Sequence, residues 1–204
     1  MNDNSKNASI STLIIMVLKD VRNERGVHQG HMANAIGKTP SAWSKIENGQ
    51  SPMSAEAMIG ACWALQLSPS YVMALVEKIT SIFNAQGYYF HTTPLEEEED
   101  VLLPLILKYF SSPGYEVLKK NIFSRISITN AFLATTPEIN PQSTPTIIRY
   151  CCESDFRQWV DDGAEGWSPV PLQPGSGLSG ITVSPSLEEF VTTYVPGSDK
   201  PFTL

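Results

Sequence analysis

The sequence predicts a mainly α protein: an N-terminal domain of five helices, then a helical hairpin, then a less regular, Pro/Gly-rich C-terminal region. Three observations carry this. Apolar residues recur at helical spacing through most of residues 10–85. Helix-opening signals, a hydroxyl residue before a proline or three residues before an acid, punctuate the periodic stretches. Beyond residue 126 the periodicity gives way to proline, glycine and serine. The expected divisions are residues 1–90, a hairpin over 91–125 and an irregular region over 126–204.

Met1–Asn7 is polar and reads as a frayed end. Helix one is expected from about Ser11 to Asn23, with Ile14, Leu18 and Val21 facing inward and Gly26 ending it. Gln29–Ile36 and Pro40–Glu47 follow as two short helices, separated by Gly37-Lys38-Thr39, a gap that admits only a sharp turn. The first buries Met32, Ala33 and Ile36; the second buries Trp43 and Ile46. Gly37 takes a left-handed conformation cheaply. Thr39 caps the second helix, and Pro40 fits its first position, where a missing N–H costs nothing. Ser41, Ser44, Lys45 and Asn48 are left as a polar outer face.

Gly49-Gln50-Ser51-Pro52 is a loop, and Ser54 caps helix four, whose Met58, Cys62 and Leu65 repeat at helical spacing. Cys62 reads as a small buried hydrophobe. Ser68-Pro69 opens helix five with the same cap and proline used at Thr39-Pro40. Its apolar positions Val72, Leu75, Val76, Ile79, Ile82 and Phe83 run past what five short helices need, so the surplus stripe should pack on something further. Gly87 and Tyr88-Tyr89-Phe90 end the first domain.

Thr93-Pro94-Leu95-Glu96 reads as a capping box, with Glu97–Asp100 loading a first helical turn with favourable negative charge. Val101, Leu102, Leu105, Ile106 and Tyr109 continue that helix, which Pro104 must kink or divide. Ser111-Ser112-Pro113-Gly114 is a turn, and Tyr115–Arg125 is helical again. So apolar a hairpin either carries a dimer contact or docks on the surplus stripe of helix five. Thr135–Thr146, with Pro137, Pro141 and Pro145, is a loop; Thr146–Cys152 is β-like; Asp155–Val160 makes one or two helical turns. Trp167–Ser184 is too rich in proline and glycine for a long helix or central strand, and Ser186–Tyr194 repeats the capping pattern. The tail is a small irregular domain or partly disordered.

The run from Val27 to Leu67 resembles the Cro- and phage-repressor-like (XRE) helix-turn-helix family. The residues that carry the likeness are Gln29, Met32-Ala33, Gly37, Thr39 and Ile46-Glu47-Asn48-Gly49, with Arg22, Arg25-Gly26, Leu65 and Leu67-Ser68-Pro69 around them. The resemblance covers about residues 10–85. It implies a lambda-repressor-like five-helix domain that binds double-stranded DNA, laying its third helix, about Pro40–Glu47, in the major groove, where every base pair shows a distinct donor and acceptor pattern.

Carried over residue by residue, Pro40, Ser41, Ala42 and Lys45, with Ser44 at the margin, reach base edges. Lys45 can donate to guanine, Ser41 to several bases, and Pro40 and Ala42 can touch a thymine methyl. Gln29, Asn48 and the amides around Gly49 hold phosphates. Three departures from the family stand out, at four positions. Lys38 replaces an apolar turn residue, either as an extra phosphate contact or snorkelling along the turn; Gln50 and Ser51 stand where the family is often basic; Trp43 replaces a β-branched residue as a large core filler. Glu47 is expected to pair with Arg22 or Arg25.

The formal charge of −7 divides into +1 over residues 1–90 and −8 beyond, so weak non-specific attraction to DNA is expected, with specificity resting on base contacts and dimerisation. The longest early apolar run, Leu13–Leu18, is too short to span a bilayer, and with no leader-like pattern and three cysteines, one isolated and two adjacent, that make no disulfide framework, the chain reads as a soluble cytoplasmic, nucleoid-associated protein. No cofactor, metal or catalytic residue is expected. The histidines, His28, His31 and His91, all lie sixty or more residues before Cys151-Cys152, which has no histidine base nearby in sequence. Pro174–Gly180 lacks the lysine of a phosphate-binding loop. Lys200 is the only lysine after Lys120, a poor basis for a self-cleaving serine/lysine protease. The reading is a dimeric transcriptional regulator, most simply a repressor. The alternatives are an antitoxin-like or co-regulator protein, whose C-terminal half binds another protein while DNA binding serves autoregulation, and a small-molecule sensor in that half.

Overall fold

In a computed structural model, residues 6–93, 95–96, 98–120, 125–130 and 138–166 are described. Nine helices and two short strands occur among them: β1 (Lys6–Ser9), α1 (Ile10–Glu24), α2 (Gln29–Ala35), α3 (Pro40–Glu47), α4 (Ala55–Ala64), α5 (Pro69–Ala85), β2 (Tyr88–His91), α6 (Leu103–Ser111), α7 (Pro113–Lys120), α8 (Thr146–Cys152) and α9 (Ser154–Asp161). The mainly helical class and the five N-terminal helices are as the sequence predicts, α3 residue for residue.

Helix starts follow the side chains that cap them. Thr39, Ser54 and Ser68 accept from the amides of Ala42, Ala57 and Tyr71 at 3.1–3.2 Å, each cap worth about 1 kcal/mol. Cys62 is fully buried, and so, or nearly so, are all six positions expected on α5. The surplus stripe of α5 runs along α1 and β2, where Phe83 meets the rings of Tyr88 and Phe90 edge-on at 5.0 and 6.1 Å.

Helix α1 departs furthest from its expected role. Its expected stripe was Ile14, Leu18 and Val21, yet Leu13, Ile15, Met16, Val17 and even Asp20 are buried as well, and Ile14 is only half-buried. The cause is a second layer. One side of α1 faces the other N-terminal helices, while Asp100 and residues 125–130 meet it from another side. Asp100 accepts from the Ser9 amide (3.0 Å) and the Thr12 hydroxyl (2.5 Å). Farther along, Asp20 takes the Arg125 guanidinium (2.6 Å) and the Ile128 amide (2.9 Å), and Glu24 gathers Ser127, Thr129 and Asn130. One hydrophobic core extends from Ala8 to Ala164, without a break at 90 or 125.

Several expectations give way. Residues 6–9 are not frayed: β1 pairs in parallel with β2, Lys6 opposite Tyr88 through Ser9 opposite His91. The acidic run starts no helix. Asp100 alone caps α6, accepting from Leu102 and Leu103 N–H at 3.1 and 3.0 Å, and Pro104 lies in the first turn, where it breaks no hydrogen bond. Pro94, a member of the expected capping box, lies outside the described residues.

The hairpin packs chiefly on α8 and α9, with Ile106, Tyr109, Tyr115 and Leu118 buried. Arg125 lies outside α7, and residues 121–124 are not among those described. Thr146–Cys152 is a helix and not a strand: Ile147 and Ile148 favour strands locally, but here the segment is buried on all sides, and packing overrides that preference. Expectations for Pro137, Trp167–Ser184 and Ser186–Tyr194 fall outside the described residues. No single described helix is long and apolar enough to cross a membrane.

Burial pushes the thiols of Cys62, Cys151 and Cys152 and the phenols of Tyr88, Tyr109, Tyr115 and Tyr150 above their ordinary values of 9.0 and 10.0, Cys152 and Tyr115 to about 12. The unfolded chain therefore ionises first as pH rises. The stability these groups contribute is complete below pH 9 and lost as pH climbs toward 12. Urea midpoints should fall steadily across that window; a flat profile would contradict the burial of these side chains.

Candidate nucleic-acid interface

The pair α2–α3 is fixed by local geometry. Gly37 sits at φ +63°, and the Lys38 amide returns to the Ala33 carbonyl at 2.9 Å, which turns the chain sharply into the Thr39 cap. On the inner side of α3, Trp43 is 1% exposed and fills the core, while Ile46 lies beside it in the same cluster.

The inner end of α3 is held by charge. Glu47, 2% exposed, receives Arg22 through two arms, Nε to Oε1 at 2.5 Å and Nη2 to Oε2 at 2.9 Å. Gln29 Nε2 donates to the same carboxylate at 2.7 Å. A bidentate arginine fixes both distance and angle, so α1, α2 and α3 are locked together at one carboxylate. Of the two expected partners it is Arg22 that pairs with Glu47; Arg25 donates instead to the Leu65 carbonyl at the end of α4. Lys19, which sequence reasoning passed over, reaches Asn48 Oδ1 at 3.1 Å and stands 3.9 Å from Glu47. Burial lowers the Lys19 pKa, opposed by Glu47. Its spacing three residues before Arg22, on one face of α1, was the available signal.

The outer face is left open. Pro40, Ser41 and Lys45 are exposed, and Ala42 and Ser44 are half-buried. Lys38 points outward; with Ala42, Lys45, Ser51 and Ser54 it lines a shallow depression between α3 and the start of α4. These five candidate base-contacting residues thus share one side of α3 with Lys38 beside them.

The phosphate candidates divide differently. Gln29 commits one N–H to Glu47 and keeps the other for an acceptor. Asn48 is held between Lys19 and Ser44, at 3.1 and 3.4 Å. The amides of Gly49 and Gln50 close the end of α3 on the carbonyls of Ile46 and Lys45 (3.0 and 2.8 Å), so they have no hydrogen to offer a phosphate. Lys19 and Arg22 turn inward and Arg25, though exposed, donates to the Leu65 carbonyl, so the exposed cations of the α2–turn–α3 unit are Lys38 and Lys45.

His28 caps α2, its Nδ1 accepting from the Gly30 amide at 3.1 Å, and His31 is exposed. Cys151 and Cys152 lie on α8, with Tyr88 donating to the Cys151 carbonyl at 3.3 Å. No group of metal-ligating side chains occurs among the described residues.

Comparison with known proteins agrees with this geometry. A family model described as a helix-turn-helix domain matches residues 16–75, from the middle of α1 into α5. No curated protein and no solved structure matches the chain. Residues 16–75 form a helix-turn-helix domain.

Proposed function

We propose that the chain is a sequence-specific DNA-binding transcriptional regulator of the Cro-like kind, acting as a repressor, with no catalytic activity of its own. It works in the cytoplasm on the nucleoid, as a dimer, laying one α3 per half-site in the major groove of an inverted repeat whose centres lie about 10 base pairs apart. The observation that carries this reading is α3 itself. Its inner side is locked by Glu47 and Trp43, while Pro40, Ser41 and Lys45 stand exposed on the other.

Lys45→Ala should cost roughly 1–3 kcal/mol at one base position and relax preference there, whereas Gln29→Ala should weaken binding to all sequences alike. With only Lys38 and Lys45 exposed on α2 and α3, the slope of log affinity against log salt should be shallow, roughly −2 to −4 for two copies. Equal losses on specific and random duplex for both substitutions, or a slope near −10, would contradict these roles. Selecting bound fragments from random duplex with the full chain tests the function itself: an enriched inverted repeat supports it, and no enrichment at low salt overturns it.

A further inference from the structure

Helix α6 lies outside residues 16–75, yet it meets the end of α3 directly at Gly49 and reaches it a second time by way of Lys19 on α1. Leu103 presses against the bare Cα face of Gly49, so that a Cβ built there would clash with the leucine methyls. Seven residues on, two helical turns along the same side, the Phe110 ring lies 5.7 Å from Lys19 Nζ, which in turn donates to Asn48 Oδ1 at 3.1 Å; Asn48 Nδ2 reaches Ser44 Oγ at 3.4 Å. Phe110 is itself seated against Tyr109 and Tyr115, with ring centroids 5.2 Å away in each case. Tyr109 leans on Tyr150 of α8 at 5.2 Å.

The geometry points to α6 as a clamp on the recognition helix: Leu103 and Phe110 are positioning residues that hold the 44–50 end of α3, making DNA selectivity depend on the chain beyond residue 100. The inference rests on the DNA-binding reading for its effect on selectivity, but the clamp can be observed without DNA. Any partner or ligand that moved the aromatic stack of α6, α7 and α8 would reach Ser44 through Phe110, Lys19 and Asn48.

The test uses the full chain with Leu103→Ala and Phe110→Ala made singly, and Phe110→Tyr as the conservative variant that keeps a ring face toward Lys19. Hydrogen exchange should accelerate at residues 44–50, whose amides close α3, while α5 keeps its protection. The ratio of affinities for selected over random duplex should fall about tenfold, the size of one lost base-directed contact. Phe110→Tyr should retain both properties. Unchanged exchange at 44–50 in both alanine variants, or acceleration spread evenly over α1 to α5, would overturn the clamp. If the wild-type chain ignored all duplexes while exchange still rose at 44–50, the clamp would stand and the DNA reading would fall.

Discussion

Glu47→Ala is expected to destabilise the fold by about 3–5 kcal/mol, because it strands the largely buried Arg22 guanidinium, leaves Gln29 without its acceptor and removes the charge 3.9 Å from Lys19. For a chain of this size that is a large share of total stability, of the order of 10 kcal/mol. Glu47→Gln should recover part of the loss, since one carbonyl oxygen can still accept from Arg22 while the charge cannot be matched. Urea unfolding of the three proteins measures the effect. DNA affinity should fall in step, because the same carboxylate fixes the angle at which α3 leaves the domain. A loss under 1 kcal/mol for Glu47→Ala would mean that the network contributes geometry without stability.

The second large effect is expected at the joint between α1 and the following half. Asp20 is 1% exposed and bonds Arg125 and the Ile128 amide. Burial raises its carboxyl pKa, opposed by the Arg125 charge and the Ile128 amide bond. Asp20→Asn should cost about 3 kcal/mol by leaving Arg125 charged without a counter-ion. The double variant Asp20→Leu with Arg125→Met should be closer to wild type than Asp20→Asn, because apolar residues of similar volume remove both desolvation penalties, leaving about 1 kcal/mol for the orphaned Ile128 N–H. If the double variant were the least stable of the three, the joint would hold by its ion pair and not by packing.

Much of the N-terminal fold is legible because its signals are local. Thr39-Pro40, Ser54 and Ser68-Pro69 mark helix starts by chemistry contained within four residues, and all three caps form. The open face of α3 is legible for the same reason: once Trp43 and Ile46 point inward, Ser41 and Lys45 must point out. What escapes the sequence is non-local. Nothing near Lys6 announces a partner at Tyr88, and nothing in α1 announces that Asp20 and Glu24 will gather residues 125–130. Ile147-Ile148 reads as strand until its surroundings are known. Pro104 reads as a breaker only if the helix starts on the acidic run; with Asp100 accepting from the Leu103 amide at the helix start, the same proline belongs in the first turn. At the interface, side-chain partners could not be read from spacing. Gln29 and Asn48 carry the right chemistry for phosphates, but Glu47 and Lys19 claim part of it.

These contacts give the helix-turn-helix an unusual dependence. Lys19, Asp20 and Glu24 on α1 are bound into residues on both sides of that helix, so the DNA-facing unit is not expected to be insulated from the rest of the chain. A regulator built this way can pass a change in its second half to α3 without a hinge.

The most direct measurement is the ratio of dissociation constants of the full chain for a selected duplex and for a random duplex of equal length, at one salt concentration, with Lys45→Ala alongside. The account predicts a ratio of about a thousandfold or more for the wild type, falling selectively in Lys45→Ala through weaker binding to the selected duplex. A ratio near one for the wild type would contradict the placement of α3 in the major groove, whatever the strength of binding.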